Sequence, residues 1–416
     1  MSLRLLTKYY VESYGCTMNF GEGEELSERM DALGYSRVPT ADEADIVILN
    51  TCTVVETTEK RMIKRMNELK AQGKEVIVTG CMAKVQPGRV EIRLPGSLII
   101  PPEDYGDFSR RVAEHYGCGT PIDVKTDETT AIIPIAQGCR GNCTYCITRF
   151  ARGTLKSYDP SSIKERFDRL VDKGVKEILI TAQDTGCYGA DIGTDLGELI
   201  KLLLTKEGDY RIRVGMMNPN SLRPVLNSVL DAFEDKRVYK FLHIPVQSGS
   251  DSVLAGMKRH YTVEEFFTLV EKIRTRYPEM SIATDLIAGF PDETDEDHKM
   301  TLALIEKLRA DTINITRFSP RPGTVAFSMP QINGRILKER SSELTDMKNR
   351  TEGDVNSAMV GKTYTALVSE RSADGSVIAR TDNYRPIAIR EDIPLGTTVT
   401  AEVTESHPTY LVGKTL

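Results

Sequence analysis

Short apolar, β-branched runs alternate with amphipathic stretches along the first part of the chain. Tyr9–Ser13, Ile46–Asn50 and Val76–Thr79 read as strands, and Glu24–Leu33 and Glu59–Gln72 read as helices, which is the rhythm of a parallel sheet. Past His115, the run Gly117-Cys118-Gly119-Thr120-Pro121 breaks any helix and marks a linker. The rhythm then restarts. Ile132–Ile135, Glu177–Thr181, Arg211–Met216, Lys240–Ile244, Ser281–Ile287 and Asp311–Arg317 are predicted strands, spaced by helix-length stretches such as Ser161–Lys173 and Thr262–Arg276. Six β/α units predict a partial barrel, whose chemistry collects at the carboxyl ends of the strands. After a helix over Arg335–Asn356 the pattern becomes short β segments punctuated by Gly and Pro: Tyr364–Ser369, Ser376–Arg380, Arg385–Ile389, Thr397–Val403 and Tyr410–Val412. A small closed barrel is expected there. The predicted fold is therefore α/β in three domains: a doubly wound α/β unit over 1–120, a partial (β/α)6 barrel over 128–355 and a small β-barrel over 356–416.

Composition narrows the class. With 416 residues, 40% hydrophobic and 27% charged, the chain reads as soluble and too long for one core. No apolar run approaches the roughly 20 residues that cross a bilayer, and no apolar signal segment opens the chain, so a cytoplasmic protein without a membrane partner is expected. Net charge is −6, but its distribution is uneven. Residues 60–93 hold nine Lys/Arg against three acids, and 139–156 hold Arg140, Arg149, Arg152 and Lys156 with no acid. A phosphate-bearing substrate would need such neighbourhoods, although Lys60, Arg61, Lys64 and Arg65 also fit a solvated helix face.

Eight cysteines change the picture further, because six stand in ligand-like contexts and suit a reducing compartment better than disulfides. Cys139, Cys143 and Cys146 are spaced C-x₃-C-x₂-C in Gly-Cys-Arg-Gly-Asn-Cys-Thr-Tyr-Cys. Three thiolates on one short loop can hold a four-iron cluster and leave one iron open to a small molecule. A zinc knuckle would want four closed ligands, and no His or fourth Cys follows Cys146 within forty residues. Cys16, Cys52 and Cys81 each follow a predicted strand directly. Loops after neighbouring parallel strands converge on one crevice, so these three predict a second three-thiolate site, the alternative being three ordinary buried cysteines. Cys118 and Cys187 read as structural or incidental.

The Cys139–Cys146 loop resembles the signature of radical S-adenosylmethionine (SAM) enzymes, with Tyr145 at the position that lies against the adenine. Together with Glu-Ser-Tyr-Gly-Cys-Thr-Met-Asn around Cys16, Leu-Asn-Thr-Cys-Thr-Val around Cys52 and Val-Thr-Gly-Cys-Met-Ala around Cys81, it resembles the methylthiotransferase family over nearly the whole chain. The resemblance implies two [4Fe-4S] clusters and SAM as cofactors. It implies reductive cleavage of SAM to a 5′-deoxyadenosyl radical at the first cluster, and a methylated sulfur on the second. It also implies that the terminal barrel is an RNA-binding TRAM module, although residues 356–416 carry six Lys/Arg and seven Asp/Glu. Gln183, Asp184, Gln247 and Ser248 at later strand ends are the remaining SAM candidates, Gln183-Asp184 standing where the superfamily has Gly-Gly-Glu. Asp292 replaces a Gly of the family pattern in Gly-Phe-Pro-Asp-Glu-Thr.

Within the family, Phe150-Ala151-Arg152-Gly153, the segment Asp184–Thr194 and Val214–Pro219 look like the branch that modifies carbon 2 of threonylcarbamoyladenosine beside the tRNA anticodon. Arg149 or Arg152 could pair with the threonyl carboxylate, or serve as a phosphate contact or surface ion pair. Implied partners are tRNA, an electron donor such as a flavodoxin or ferredoxin, and a sulfur source. Alternatives are methylthiolation of isopentenyladenosine in tRNA or of a ribosomal-protein aspartate, and, in another class, a non-catalytic iron–sulfur RNA-binding protein. His243 ends a predicted strand and fits a hydrogen-bonded structural histidine at least as well as a catalytic one. No local His arrangement suggests acid–base hydrolysis.

Overall fold

The computed structural model describes residues 7–118 and 129–416. The linker predicted over 117–121 and the expected boundaries at 120 and 128 lie partly outside them. Near the amino terminus, five parallel strands stand in the order Ser36–Arg37, Lys8–Ser13, Ile46–Thr51, Glu75–Thr79, Leu98–Ile99. In chain order this is 2-1-3-4-5, a doubly wound arrangement whose direction of growth reverses between the first and third strands. The central strand Ile46–Thr51 is buried along its whole length. Val47 and Leu49 pack against Met62, Met66 and Leu69 on one face, and Ile46 and Ile48 join Leu26, Met30, Phe108 and Val112 on the other. Burial on both faces explains a run with no polar alternation.

The predicted helix over Glu24–Leu33 in fact begins at Thr17 and runs to Ala32. Gly21 and Gly23 weaken its first turns as a sequence signal, yet both are needed for packing. A Cβ on Gly21 would stand 2.7 Å from Ile132 Cγ2 and one on Gly23 2.2 Å from Ser13 Oγ. The helix can therefore lie flat against the next domain.

That domain has the six expected strands, Thr130–Pro134, Glu177–Thr181, Arg211–Val214, Phe241–His243, Ser281–Ala288 and Thr312–Arg317, all parallel to their neighbours. They form two three-stranded sheets, joined where Tyr239 N–H donates to Ile212 O at 3.0 Å and Met217 N–H to His243 O at 2.9 Å. Among the described residues, the first and last strands do not pair, so the barrel is partial. A helix over Gly334–Ser357 leads to the closed five-stranded barrel, Thr363–Arg371, Val377–Thr381, Pro386–Ile389, Leu411–Thr415 and Thr398–Ser406 in spatial order.

The small barrel is not a free appendage. Its turn at 382–385 docks on the amino-terminal end of the large barrel, where Lys240 N–H donates to Asp382 O at 2.8 Å and Arg385 pairs with Asp311 at 3.0 Å. Tyr384, at φ 64, inserts its ring 4.8 Å from Tyr239 and 5.2 Å from Phe241, with the Arg213 and Arg380 guanidiniums 5.6 and 4.7 Å from its centre. No helix among the described residues is long and apolar enough to cross a membrane.

Candidate functional site

The Cys139–Cys146 loop leaves the first barrel strand through Ala136–Gln137, which pairs antiparallel with Lys156–Ser157. Two later segments, at Gln183 and at 256–260, hold it. Gln183 Oε1 accepts from Gly138 N–H at 2.6 Å, Thr144 Oγ1 donates to Gly256 O at 2.9 Å, and His260 Nε2 meets Asn142 Oδ1 at 2.9 Å. Two donors aim at sulfur: Gly141 N–H at Cys139 Sγ, 3.2 Å, and Arg259 Nη1 at Cys143 Sγ, 3.4 Å. Such hydrogen bonds stabilise thiolate charge and tune a cluster bound to it.

The other three cysteines sit at the carboxyl ends of adjacent strands. Cys16 caps the helix Thr17–Ala32, Cys52 follows Ile46–Thr51, and Cys81 lies at the start of Gly80–Val85. Asn19 ties two of these loops together, its Nδ2 donating to Tyr14 O at 2.7 Å and to Thr51 O at 2.9 Å. Gly15, at φ 104, leaves room for Cys52, whose Sγ would lie 2.7 Å from a Cβ there. Convergence at the switch point follows from strand order, as expected for this sheet type.

Burial pushes the Cys81 thiol up to about 12 and Cys139 up to about 11, and it also raises Cys52 and Cys146. In each trio the neighbouring thiols add to the shift, as Cys52 and Cys16 do for Cys81, and Cys146 and Cys143 for Cys139. Thiols so placed ionise only against a bound cation, which deprotonates its ligands outright. Among the described residues no three His, Cys, Asp or Glu side chains close around a position for one metal ion.

Both trios face one cavity of about 530 Å³, which Tyr145, Arg149, Gln183, Gln247, His243 and Asp285 also line. Two buried ion pairs clamp the walls. Arg152, just past Cys146, donates to Glu22 Oε1 and, at 2.7 Å, to Asn19 Oδ1, both on the helix that starts at Cys16. Arg321, beyond the last barrel strand, donates to Glu59 Oε2 at 2.8 Å and to Val54 O at 3.0 Å, beside Cys52. Burial raises the Glu22 carboxyl, and Arg152 opposes that shift. Each pair joins the two domains close to a cysteine.

Several sequence expectations change. Arg152 is not available for a substrate carboxylate: its side chain is 1% exposed and its charge is matched by Glu22. Arg149 is exposed at the cavity, with no side-chain partner among the described residues. Asp184 lines the cavity, and its carboxylate also accepts from Gly186 N–H, Asn218 N–H and Ser221 Oγ at 3.1, 3.0 and 2.7 Å and so staples two strand-end loops. Ser248 faces away from the cavity, with its hydroxyl beside Thr301 Oγ1 at 3.3 Å. Gln247, at φ 75, remains on the cavity wall. Five cations of the basic run 60–93 are paired, Lys60 with Glu56, Lys64 with Glu68, Arg65 with Glu12, Lys84 with Glu103 and Arg89 with Glu59. His243 meets Asp285 Oδ1 at 2.8 Å and also lines the cavity. Glu22, Asn19, Glu59, Arg259, Asp285 and Arg321 were not legible as site residues, since each acts across a tertiary contact.

Comparison with known proteins agrees with this layout. Residues 8–100 match the uncharacterized protein family UPF0004, residues 133–305 the radical SAM superfamily and residues 357–416 the TRAM domain. A protein of Pyrococcus abyssi named probable threonylcarbamoyladenosine tRNA methylthiotransferase is 38% identical over 99% of this chain and 100% of its own length. The threonylcarbamoyladenosine tRNA methylthiotransferase of Drosophila melanogaster is 36% identical over 98% of this chain and 78% of its own. The radical SAM methyltransferase TsrM from Kitasatospora setae, solved with tryptophan and a SAM analogue, has a similar fold at TM-score 0.59 and 13% identity, over 78% of this chain and 75% of its own.

Proposed function

This chain belongs to the same family as the threonylcarbamoyladenosine tRNA methylthiotransferases, and from that premise we propose that it inserts a methylthio group at carbon 2 of threonylcarbamoyladenosine next to the tRNA anticodon. The observation that carries the reading is the single cavity lined by two three-cysteine sets. When bound, a four-iron cluster on each set, with SAM on the open iron of the first, supplies hydrogen abstraction from an unactivated carbon and the sulfur that replaces the hydrogen.

The chain's own residues orient and shield this chemistry. Cys139, Cys143 and Cys146 would hold the first cluster, and Cys16, Cys52 and Cys81 the second. Tyr145 and Gln247 line the cavity where they would flank SAM, and Gln183 fixes the loop by accepting from Gly138. The Glu22–Arg152 and Glu59–Arg321 pairs keep the two sulfur sets facing each other, as a reaction that uses both on one base requires. Arg149 is the candidate partner for the threonyl carboxylate, since its exposed guanidinium can form a bidentate pair. The terminal barrel and Arg149 at the first cavity hold the tRNA, while an electron donor and a sulfur source complete the cycle.

The test is to reconstitute the clusters anaerobically and offer matched tRNAs bearing threonylcarbamoyladenosine, isopentenyladenosine or adenosine at one position. Methylthiolated nucleoside from the first alone is the expected result. Equal turnover of all three would defeat the substrate assignment, and binding without 5′-deoxyadenosine formation would favour a non-catalytic RNA-binding protein. Arg149→Lys should lower turnover about tenfold or more on the preferred tRNA while leaving SAM cleavage nearly intact.

A further inference from the structure

A second cavity, of about 480 Å³, lies on the other face of the cysteine loop. Gly141 and Cys143 of the loop, with Asn218 and Arg259, line both cavities and so form the partition between them. The second cavity is basic. Arg140, Arg223, Lys258, Arg259 and His260 line it, and no acidic side chain does among the described residues. Arg223 pairs with Glu265 at 2.6 Å, and Arg259 is turned inward to Cys143 Sγ. Arg140 and Lys258 remain as exposed cations with no ion-pair partner among the described residues. Lys258 sits at φ 55 in a strap stitched to the cysteine loop on either side of it, Thr144 N–H to Met257 O at 3.1 Å and His260 to Asn142 at 2.9 Å. Its backbone is therefore held at a fixed place on the rim.

We propose that this basic face is the docking surface for an acidic one-electron carrier protein. The inference rests on the functional reading above, which requires an electron for every SAM cleaved. The first cavity must hold both SAM and the nucleoside when that electron arrives, so the carrier has to approach from elsewhere. The second cavity brings a partner to Cys143 with only the loop between. In the step itself one electron passes from the reduced flavin or iron–sulfur carrier to the cluster on Cys139, Cys143 and Cys146. The carrier is oxidised by one electron and the cluster reduced by one, with no bond made or broken. In a chain of net charge −6, a local surface of opposite sign is what steers an acidic partner to one place. RNA phosphates share the charge of such a partner, but a tRNA has to present its base at the first cavity.

The experiment uses the reconstituted full-length enzyme, its Arg140→Glu/Lys258→Glu variant and the charge-conserving Arg140→Lys/Lys258→Arg variant. A reduced acidic flavodoxin is the protein probe and dithionite the small-molecule reductant. The charge reversal should weaken flavodoxin binding, measured by calorimetry, about 30- to 100-fold, and should remove most of its salt dependence. The conserving variant should bind like the parent. Affinity for tRNA and dithionite-driven formation of 5′-deoxyadenosine should stay within about twofold of the parent, because neither depends on carrier encounter. Unchanged flavodoxin affinity in the reversed variant would overturn the proposal. So would a comparable loss of tRNA affinity with flavodoxin binding intact, which would assign the face to RNA. Failure of the unsubstituted enzyme to cleave SAM with dithionite would overturn the functional reading instead.

Discussion

The two cysteine sets reach the same cavity by different routes. Cys139, Cys143 and Cys146 belong to one short loop, so their proximity is nearly guaranteed by the chain itself. Cys16, Cys52 and Cys81 meet because strands Lys8–Ser13, Ile46–Thr51 and Glu75–Thr79 are neighbours in one parallel sheet. Local disorder would loosen the first set, whereas the second exists only while a whole domain is folded. The contrast separates thiols brought together by a loop from thiols brought together by a topology, and it predicts unequal consequences when each is disturbed.

The largest effects should come from the ligands. Replacing Cys139, Cys143 and Cys146 with Ala should remove about half of the bound iron and abolish 5′-deoxyadenosine formation. Full iron retention would sink the assignment. Replacing Cys16, Cys52 and Cys81 should also remove about half of the iron, yet spare SAM cleavage and stop sulfur insertion. Circular dichroism has to accompany that variant, because a cluster assembled from three strand ends also holds its domain together. Methylthiolated product from it would show the second set to be structural.

Next come the clamps. Glu22→Gln leaves a buried guanidinium without its counter-charge, and about 3–5 kcal/mol of stability should be lost in denaturant unfolding. A Glu22→Gln/Arg152→Met double variant should recover much of this while loosening the juxtaposition of the two sets, seen as 5′-deoxyadenosine made without methylthiolated product. Coupled turnover in the stable double variant would limit the pair to a folding role. Gly21→Ala should cost about 1–3 kcal/mol, since its Cβ would collide with Ile132 and push the domains apart. The smallest expected effect is at Asp292, which sits at φ 64 on an exposed turn. Asp292→Gly should relieve about 1 kcal/mol of backbone strain, read as a slight rise in Tm with iron content unchanged.

Much of this was legible in the amino-acid sequence because its signals are local. The C-x₃-C-x₂-C spacing, the strand-end positions of Cys16, Cys52 and Cys81, the six β/α repeats and the five late strands all appear as expected. What stayed hidden depends on contacts between distant segments. Arg152 looked like a substrate ligand because its sequence neighbourhood holds no acid, and its counter-charge, Glu22, lies more than a hundred residues away. Asp184 looked like a cofactor ligand because nothing in its motif reveals the amide and hydroxyl donors of the next loop. Arg65, Lys84 and Arg89 read as part of a phosphate surface because their partners Glu12, Glu103 and Glu59 come from other elements. Charge read along a chain gives the sign of a residue but not its counter-ion.

The insertion of Tyr384 into the floor of the large barrel gives the terminal domain a duty apart from gripping RNA. Its ring covers Tyr239 and Phe241 and stacks against Arg213, a guanidinium whose Nε has no hydrogen-bond partner. Without it, the rings of Tyr239 and Phe241 and the side chain of Arg213, which also lines the first cavity, would lose their cover. A shortened enzyme ending near Met359 should therefore be less stable as well as a poorer RNA binder. Loss of activity on truncation would then measure packing as much as an affinity.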